Sequence, residues 1–137
     1  MALVIPTASE KTLLDFTLGV TVPGNQILRL FVNNISPADA HTAASYTEMS
    51  TLGYASKTLT KTSWVTVAGA DGAVATSTYA TQTWTFTAGT PVTVYGYYIT
   101  DTTTGLLLWA EAFASGKVVQ YTGDQIIIVP TITGSRS

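Results

Sequence analysis

From Tyr79 to Ile132 the chain alternates apolar residues with hydroxyl-bearing ones, as in Thr83-Trp-Thr-Phe-Thr87 and Val92-Thr-Val-Tyr-Gly-Tyr-Tyr98. Successive side chains of an extended strand point to opposite faces, so a period of two specifies half-buried β-strands and argues against amphipathic helix over the same residues. Turn chemistry divides the stretch. Pro91 opens a strand from Val92 to Thr100, and Asp101-Thr-Thr-Thr-Gly105 leads straight into Leu106 to Phe113, which predicts a hairpin. A loop over Ala114 to Gly123 then delivers a strand from Asp124 to Thr133, in which Ile126, Ile128 and Ile132 oppose Gln125, Ile127, Val129 and Thr131. Pro130 has no N–H for a ladder and implies an edge position or a bulge.

Upstream, strands are expected over Tyr54 to Leu59, Ser63 to Val67 and Thr78 to Thr87, with a loop from Ala68 to Thr76 and Asp71-Gly72 at its tip. In the last strand Ala80, Gln82, Trp84 and Phe86 form a core face against a threonine ladder. Gln26 to Asn33 places Leu28, Leu30 and Val32 on the core side and Ile27, Arg29, Phe31 and Asn33 on the other, with Arg29 marking an edge or interface. Thr7-Ala-Ser-Glu10 has the form of a capping box and predicts a helix from about Ala8 to Leu18 within the 7–19 segment. Leu13, Leu14, Phe16 and Leu18 fall on its apolar side, Lys11 and Asp15 opposite, and Gly19 is the stop. Residues 1–6 read as an arm. Asn34 to Gly53 lacks a period and allows a turn and one helical turn; so long a loop in a small domain is usually functional or packed on a neighbour.

Seven or so strands with connections too short for helical crossovers require a mostly antiparallel sheet. The expectation is one all-β domain over 1–137, an antiparallel β-sandwich with one short N-terminal helix. Jelly-roll-like, immunoglobulin-like and partly open barrel connections all stay open.

Charged residues are only 10% of the chain, against about 25% in an ordinary soluble domain. So weakly charged a surface lets copies approach one another, which points to assembly. The net charge is −2 and the six basic residues are scattered singly, so a phosphate backbone or an anionic membrane surface finds no cationic stripe. Cysteine is absent, which removes thiolate chemistry and cysteine-type zinc sites. The apolar start Leu3-Val-Ile is too short for a secretory signal or a membrane span, and the chain reads as soluble.

The reactive inventory is thin. His41, the lone histidine, has Asp39 two residues before it, but no nucleophile-elbow pattern accompanies them. Glu111, between Trp109 and Phe113 on one strand face, could act as a general acid with a raised pKa, although a glutamate bonded to a neighbouring backbone or subunit is the simpler reading. Tyr95, Tyr97 and Tyr98 with Trp84 or Trp109 could form a sugar-stacking platform, but aromatics at this spacing more often fill a core or interface. Asp101-Thr-Thr-Thr offers calcium one carboxylate, a weak site. No catalytic residue, metal or cofactor is expected. The candidate interface residues are Leu3, Val4, Ile5 and Pro6 in the arm, Pro37, His41 and Tyr46 in the long loop, and Tyr95 and Tyr97.

The order and spacing of several strand words carry a resemblance. Leu13-Leu-Asp-Phe, Leu28-Arg-Leu-Phe-Val-Asn-Asn34, Pro37, Gly53-Tyr-Ala, Leu59, Trp64, Gln82-Thr-Trp-Thr-Phe-Thr87, Val94-Tyr-Gly-Tyr-Tyr-Ile-Thr-Asp101, Leu107-Leu-Trp-Ala-Glu-Ala-Phe113, Gly123-Asp-Gln-Ile126 and Thr131-Ile span most of the chain. In that order they resemble small virion structural proteins of tailed bacteriophages. The resemblance implies a non-enzymatic decoration or cement protein on the outer capsid surface, made in the host cytoplasm and clamping subunits of the major capsid protein. It also implies a homo-oligomer, with a trimer favoured. A tail adaptor, tube or fibre-associated component is the alternative within the same setting, and a carbohydrate-binding β-sandwich module is the alternative outside it.

Overall fold

In the computed structural model, which describes residues 3–70 and 74–134, the chain is an antiparallel β-protein with one short helix. The elements are α1 (Thr7–Thr17), β1 (Gln26–Phe31), β2 (Lys57–Leu59), β3 (Val65–Val67), β4 (Thr76–Thr78), β5 (Gln82–Thr85), β6 (Val92–Asp101), β7 (Leu107–Val119), β8 (Gln125–Ile128) and β9 (Thr131–Thr133). Single 3₁₀ turns lie at Ala43–Ser45 and Lys61–Ser63. The expected tip at Asp71-Gly72 and the final three residues lie outside the described residues.

The first layer is a four-stranded sheet in the order β2-β1-β6-β7. The second holds β3-β4-β9 and β5-β8, but these come largely from the same two chain segments. Thr78 pairs with Thr131 and Gln82 with Ile128, so three residues on one side of the break face two on the other. Tyr79 N–H still donates across it to the Pro130 carbonyl at 2.9 Å. Pro130 can return no such bond, and the strands expected as continuous from Thr78 to Thr87 and from Asp124 to Thr133 are each cut in two there. Between the layers lies the main core, with Leu28, Leu30, Ile99, Leu108, Trp109, Trp84, Phe86, Ile126 and Ile128 among its members.

The sheet's outer face is also buried. Phe31, Tyr98, Leu107 and Ala110 form a second cluster there with Tyr46, whose ring centroid is 5.0 Å from those of both Phe31 and Tyr98. Tyr46 comes from the aperiodic 34–53 segment, which folds back over β1: Val32 N–H donates to Thr47 and Met49 N–H to Leu30. Burial on both faces explains why Phe31 and Tyr98 are apolar where simple alternation calls for polar residues. Arg29 accordingly sits in an internal strand rather than at an edge.

β7 departs furthest from expectation. The segment from Ala114 to Val119 continues the strand instead of forming a loop, and the loop is confined to residues 120–124. Phe113 to Gly116 bulge opposite Tyr95 alone, between the Val94–Lys117 and Gly96–Ala112 pairs. A second shift, between Ile99–Trp109 and Thr100–Leu107, leaves Leu108 as an extra residue, so Leu108 and its neighbour Trp109 both enter the main core.

α1 begins one residue earlier than expected, with Pro6 at the N-cap and no capping side chain. The capping box does not form because Thr7 is already helical and Pro6 takes the N-cap; the Ser9 hydroxyl donates to the Leu107 carbonyl and ties the helix to β7. Its C-terminus closes as foreseen: Gly19, at φ +71°, lets its N–H reach Phe16 while Val20 N–H reaches Asp15, a Schellman motif.

Candidate functional site

The arm packs on its own domain. Val4 and Ala110 exchange both backbone hydrogen bonds at 3.1 Å on the outer edge of β7, Pro6 is fully buried, and Leu3 and Ile5 lie against the main core. The pairing is short for a covalent reason: Pro6 has φ near −65° and no N–H to extend the ladder. Four of the expected interface residues are thus structural in the monomer.

The long loop divides in two. Tyr46 is core, as above, and its hydroxyl meets His41 Nδ1 at 3.2 Å, with the rings edge to face. His41 and Pro37 are half-buried. No serine hydroxyl bonds to His41 among the described residues; Ser9, the serine that shares a surface cavity of about 250 Å³ with it, is committed to Leu107. Next to this cluster the Arg29 guanidinium pairs with Glu48 at 3.2 Å and bonds the Thr100 hydroxyl, and Tyr54 donates to Glu48 at 2.9 Å while accepting from Leu30 N–H. Glu48 is therefore tied into the packing of the loop.

The aromatic platform is dismantled by burial. Tyr97, Trp84 and Trp109 face the main core and Tyr98 the second cluster, all at 5% exposure or less, so no sugar ring can stack on them. Only Tyr95 is partly open. Tyr97 donates to Glu111 at 2.6 Å, a bond between neighbouring strands of the same sheet. That partner engages Glu111 within the fold, but it is a side-chain hydroxyl of the same chain and not the backbone or subunit contact expected from the sequence. Among the described residues no three of His, Asp and Glu gather closely enough to hold a metal ion.

Burial governs the tyrosine titrations. It pushes the hydroxyls of Tyr46 and Tyr98 up to about 12; for Tyr98 the Glu48 carboxylate adds to this and Arg29 opposes it. Burial raises Tyr97 further, aided by its bond to Glu111 and that carboxylate's charge, with Trp109 opposing. An unfolded tyrosine ionises near 10, so the folded state holds these protons more tightly. Their contribution is complete below pH 10 and is lost as pH rises towards 12. We expect the part of the phenolate absorbance at 295 nm that comes from the buried tyrosines to rise together with loss of near-ultraviolet dichroism in one cooperative step as pH climbs through that window. Ionisation of all seven tyrosines with intact dichroism would contradict the packing.

What the sequence reading missed is on α1. Ser9 and Thr12, polar residues, are the buried ones at 1% and 8% exposure, with Leu13 and Phe16 beside them, whereas Leu14 and Leu18 face outward at 62% and 75%. At 100° per residue, positions 9, 12, 13 and 16 make one face and 11, 14 and 18 the opposite one. A helical wheel drawn around Ser9 and Thr12 contains that division, but the tertiary contacts, the Ser9–Leu107 bond and the packing of Leu13 and Phe16 on the core, select which face turns inward. Val20 and Val22 extend the exposed apolar surface, and Val65, Val67, Ile127 and Val129 are large aliphatics left open on the second layer. Neither a protein-family model nor any curated protein matches this chain.

Proposed function

We propose that the protein is a structural component of a tailed-phage virion: a capsid decoration protein that binds the major capsid protein from outside and stabilises contacts between capsid subunits. One observation carries the reading. In a chain with so few charges, large aliphatic side chains remain uncovered on α1, β3 and β8, on a body whose own core is already filled. Isolated exposed aliphatics are ordinary, but several elements each presenting them mark a surface made to be covered. The order of strand motifs that resembles virion proteins supplies the setting. Covering such surface contributes about 25 cal/mol per Å², and repetition around a shell multiplies a modest contact.

The polar groups that could have served chemistry fit this role equally well as internal ties, since Glu48 joins the long loop to Arg29 of β1, Glu111 joins β7 to Tyr97 of β6, and His41 meets Tyr46 within the long loop. Quantitative gel analysis of purified particles, with binding of the isolated protein to empty capsids, tests the proposal. The expected result is saturable binding and a copy number comparable with that of the major capsid protein. A copy number matching the tail symmetry, with no binding to capsids, would move the protein to the tail; absence from particles would end the proposal.

A further inference from the structure

Between the long loop and the β6–β7 hairpin turn, the outer face of the four-stranded sheet leaves a cavity of about 290 Å³ whose lining includes Arg29, Tyr98 and Thr100. Arg29 is fixed from two directions. Its Nε pairs with Glu48 at 3.2 Å and its Nη1 donates to the Thr100 hydroxyl, which leaves Nη2 with no partner among the described residues. Thr100, having accepted that bond, keeps its own proton to donate. Tyr98 is 4% exposed, stacks on Tyr46 and lies close enough to Arg29 and Glu48 to feel both charges. The hydroxyls of Tyr46 and Tyr97, the other core tyrosines, are bonded to His41 and Glu111. That of Tyr98 bonds to no described residue, although buried hydroxyls nearly always find a partner. Three hydrogen-bonding groups with spare capacity therefore share one cavity.

We propose that this cavity binds one ring of a neutral saccharide. Charge selects against an anion on Arg29. That guanidinium is the one cation among the described residues of the lining, whereas Glu48 beside it and Asp101 in the wall are both negative, so a carboxylate or phosphate meets a site of its own sign. A wholly apolar guest would cover the three polar groups without giving them partners. A sugar ring answers both conditions: it is uncharged, its hydroxyls give and accept hydrogen bonds, and its C–H face suits Ile27. The ring enters by its edge, because Tyr46 already covers the ring of Tyr98. At about 290 Å³ the cavity lies at the lower end of small-molecule sites, which span roughly 300–1,000 Å³, and holds a single unit. The cavity of about 250 Å³ beside His41 adjoins it across Ala43 and Gly105 and gives room for a second. None of these residues belongs to the aliphatic surface read as capsid-facing, so the two contacts are independent.

Amide NMR titration of the full chain, without capsids, tests the site. The probes are glucose, galactose, rhamnose and N-acetylglucosamine, each taken to about 50 mM, with acetate and phosphate as the anionic comparison. At least one sugar is expected to shift the amides of Arg29, Thr100, Thr102 and Gly105 saturably, with a dissociation constant on the order of 1 mM, and neither anion should do so. Tyr98→Phe removes the hydroxyl and keeps the stacked ring, and should weaken binding about 10-fold. Should that variant lose its dispersed spectrum, Thr100→Val removes the neighbouring hydroxyl at nearly constant shape and should weaken binding similarly. Tyr95→Phe, outside the cavity, should bind as wild type does. The proposal is overturned if no sugar gives a saturable shift, if the shifts lie elsewhere, if acetate or phosphate alone produces them, or if a folded Tyr98→Phe or Thr100→Val variant binds with wild-type affinity. Because the titration contains no capsid, sugar binding and capsid binding can each fail while the other holds.

Discussion

Gly96→Ala is expected to destabilise the protein by about 3 kcal/mol, measured as a lower urea midpoint at unchanged slope. Gly96 is buried in β6 between Phe31 on β1 and Ala112 on β7. A Cβ there would overlap the Glu111 carbonyl oxygen and lie 2.7 Å from two carbons of the Phe31 ring. Neither neighbour can yield cheaply. Phe31 is fully buried under Tyr46, and the carbonyl belongs to a strand held on this edge by the β6 ladder. Relief therefore requires moving backbone, in an interior packed as densely as an organic crystal. Gly134→Ala is the control: its Cβ would meet only the Ala75 carbonyl at 3.5 Å, an ordinary contact, and the midpoint should hardly move. An unchanged midpoint for Gly96→Ala would show that β6 and β7 are further apart than described.

Asp101→Ala should cost about 4 kcal/mol, because one buried carboxylate serves several donors at once. Asp101 is 1% exposed; Oδ1 accepts from Gly24 N–H at 2.9 Å, and Oδ2 from Thr103 N–H, Thr104 N–H and the Thr104 hydroxyl at 2.9, 2.8 and 3.1 Å. The residue thus joins the segment 22–25 leading into β1 to the β6–β7 hairpin turn, and Thr102 adds two bonds to the Asn25 carbonyl. Alanine leaves the amides without acceptors, and a lone orphaned donor already costs on the order of 1–3 kcal/mol. Asparagine keeps one acceptor oxygen but sets an NH₂ against N–H donors, so its loss should be smaller yet still clear. Amide exchange at Gly24, Thr103 and Thr104 should accelerate in both variants. Wild-type protection at these three amides would refute the assignment. The same bonds account for the Asp101-Thr-Thr-Thr motif without calcium, since Oδ2 is directed at the turn's own donors.

The hairpin at Asp101–Gly105, the Gly19 stop and the core set Leu28, Leu30, Trp84, Phe86, Ile126 and Ile128 were legible because each depends on local geometry: turn conformation, a positive φ or strict alternation. β7 was not legible. A bulge inserts residues without changing composition, and Ala114-Ser-Gly-Lys117 carries loop-like chemistry although it remains paired in part with β6. Tyr46 and Tyr97 belong to the core for a similar reason. An aromatic residue suits an interface and an interior equally, and only the fold decides which.

By itself the sequence determined the secondary-structure type, the antiparallel class and the thin chemical inventory, because these follow from periodicity and residue identity. The tertiary structure alone decided the placement of surfaces: the arm paired to β7, the long loop closed over β1, and α1 turned so that Leu14 and Leu18 face solvent. The physical reason is that a helix with apolar residues on both sides has no intrinsic inside. Its orientation is set by contacts distant in sequence, here the bond from Ser9 to Leu107 and the packing of Leu13 and Phe16 against the core.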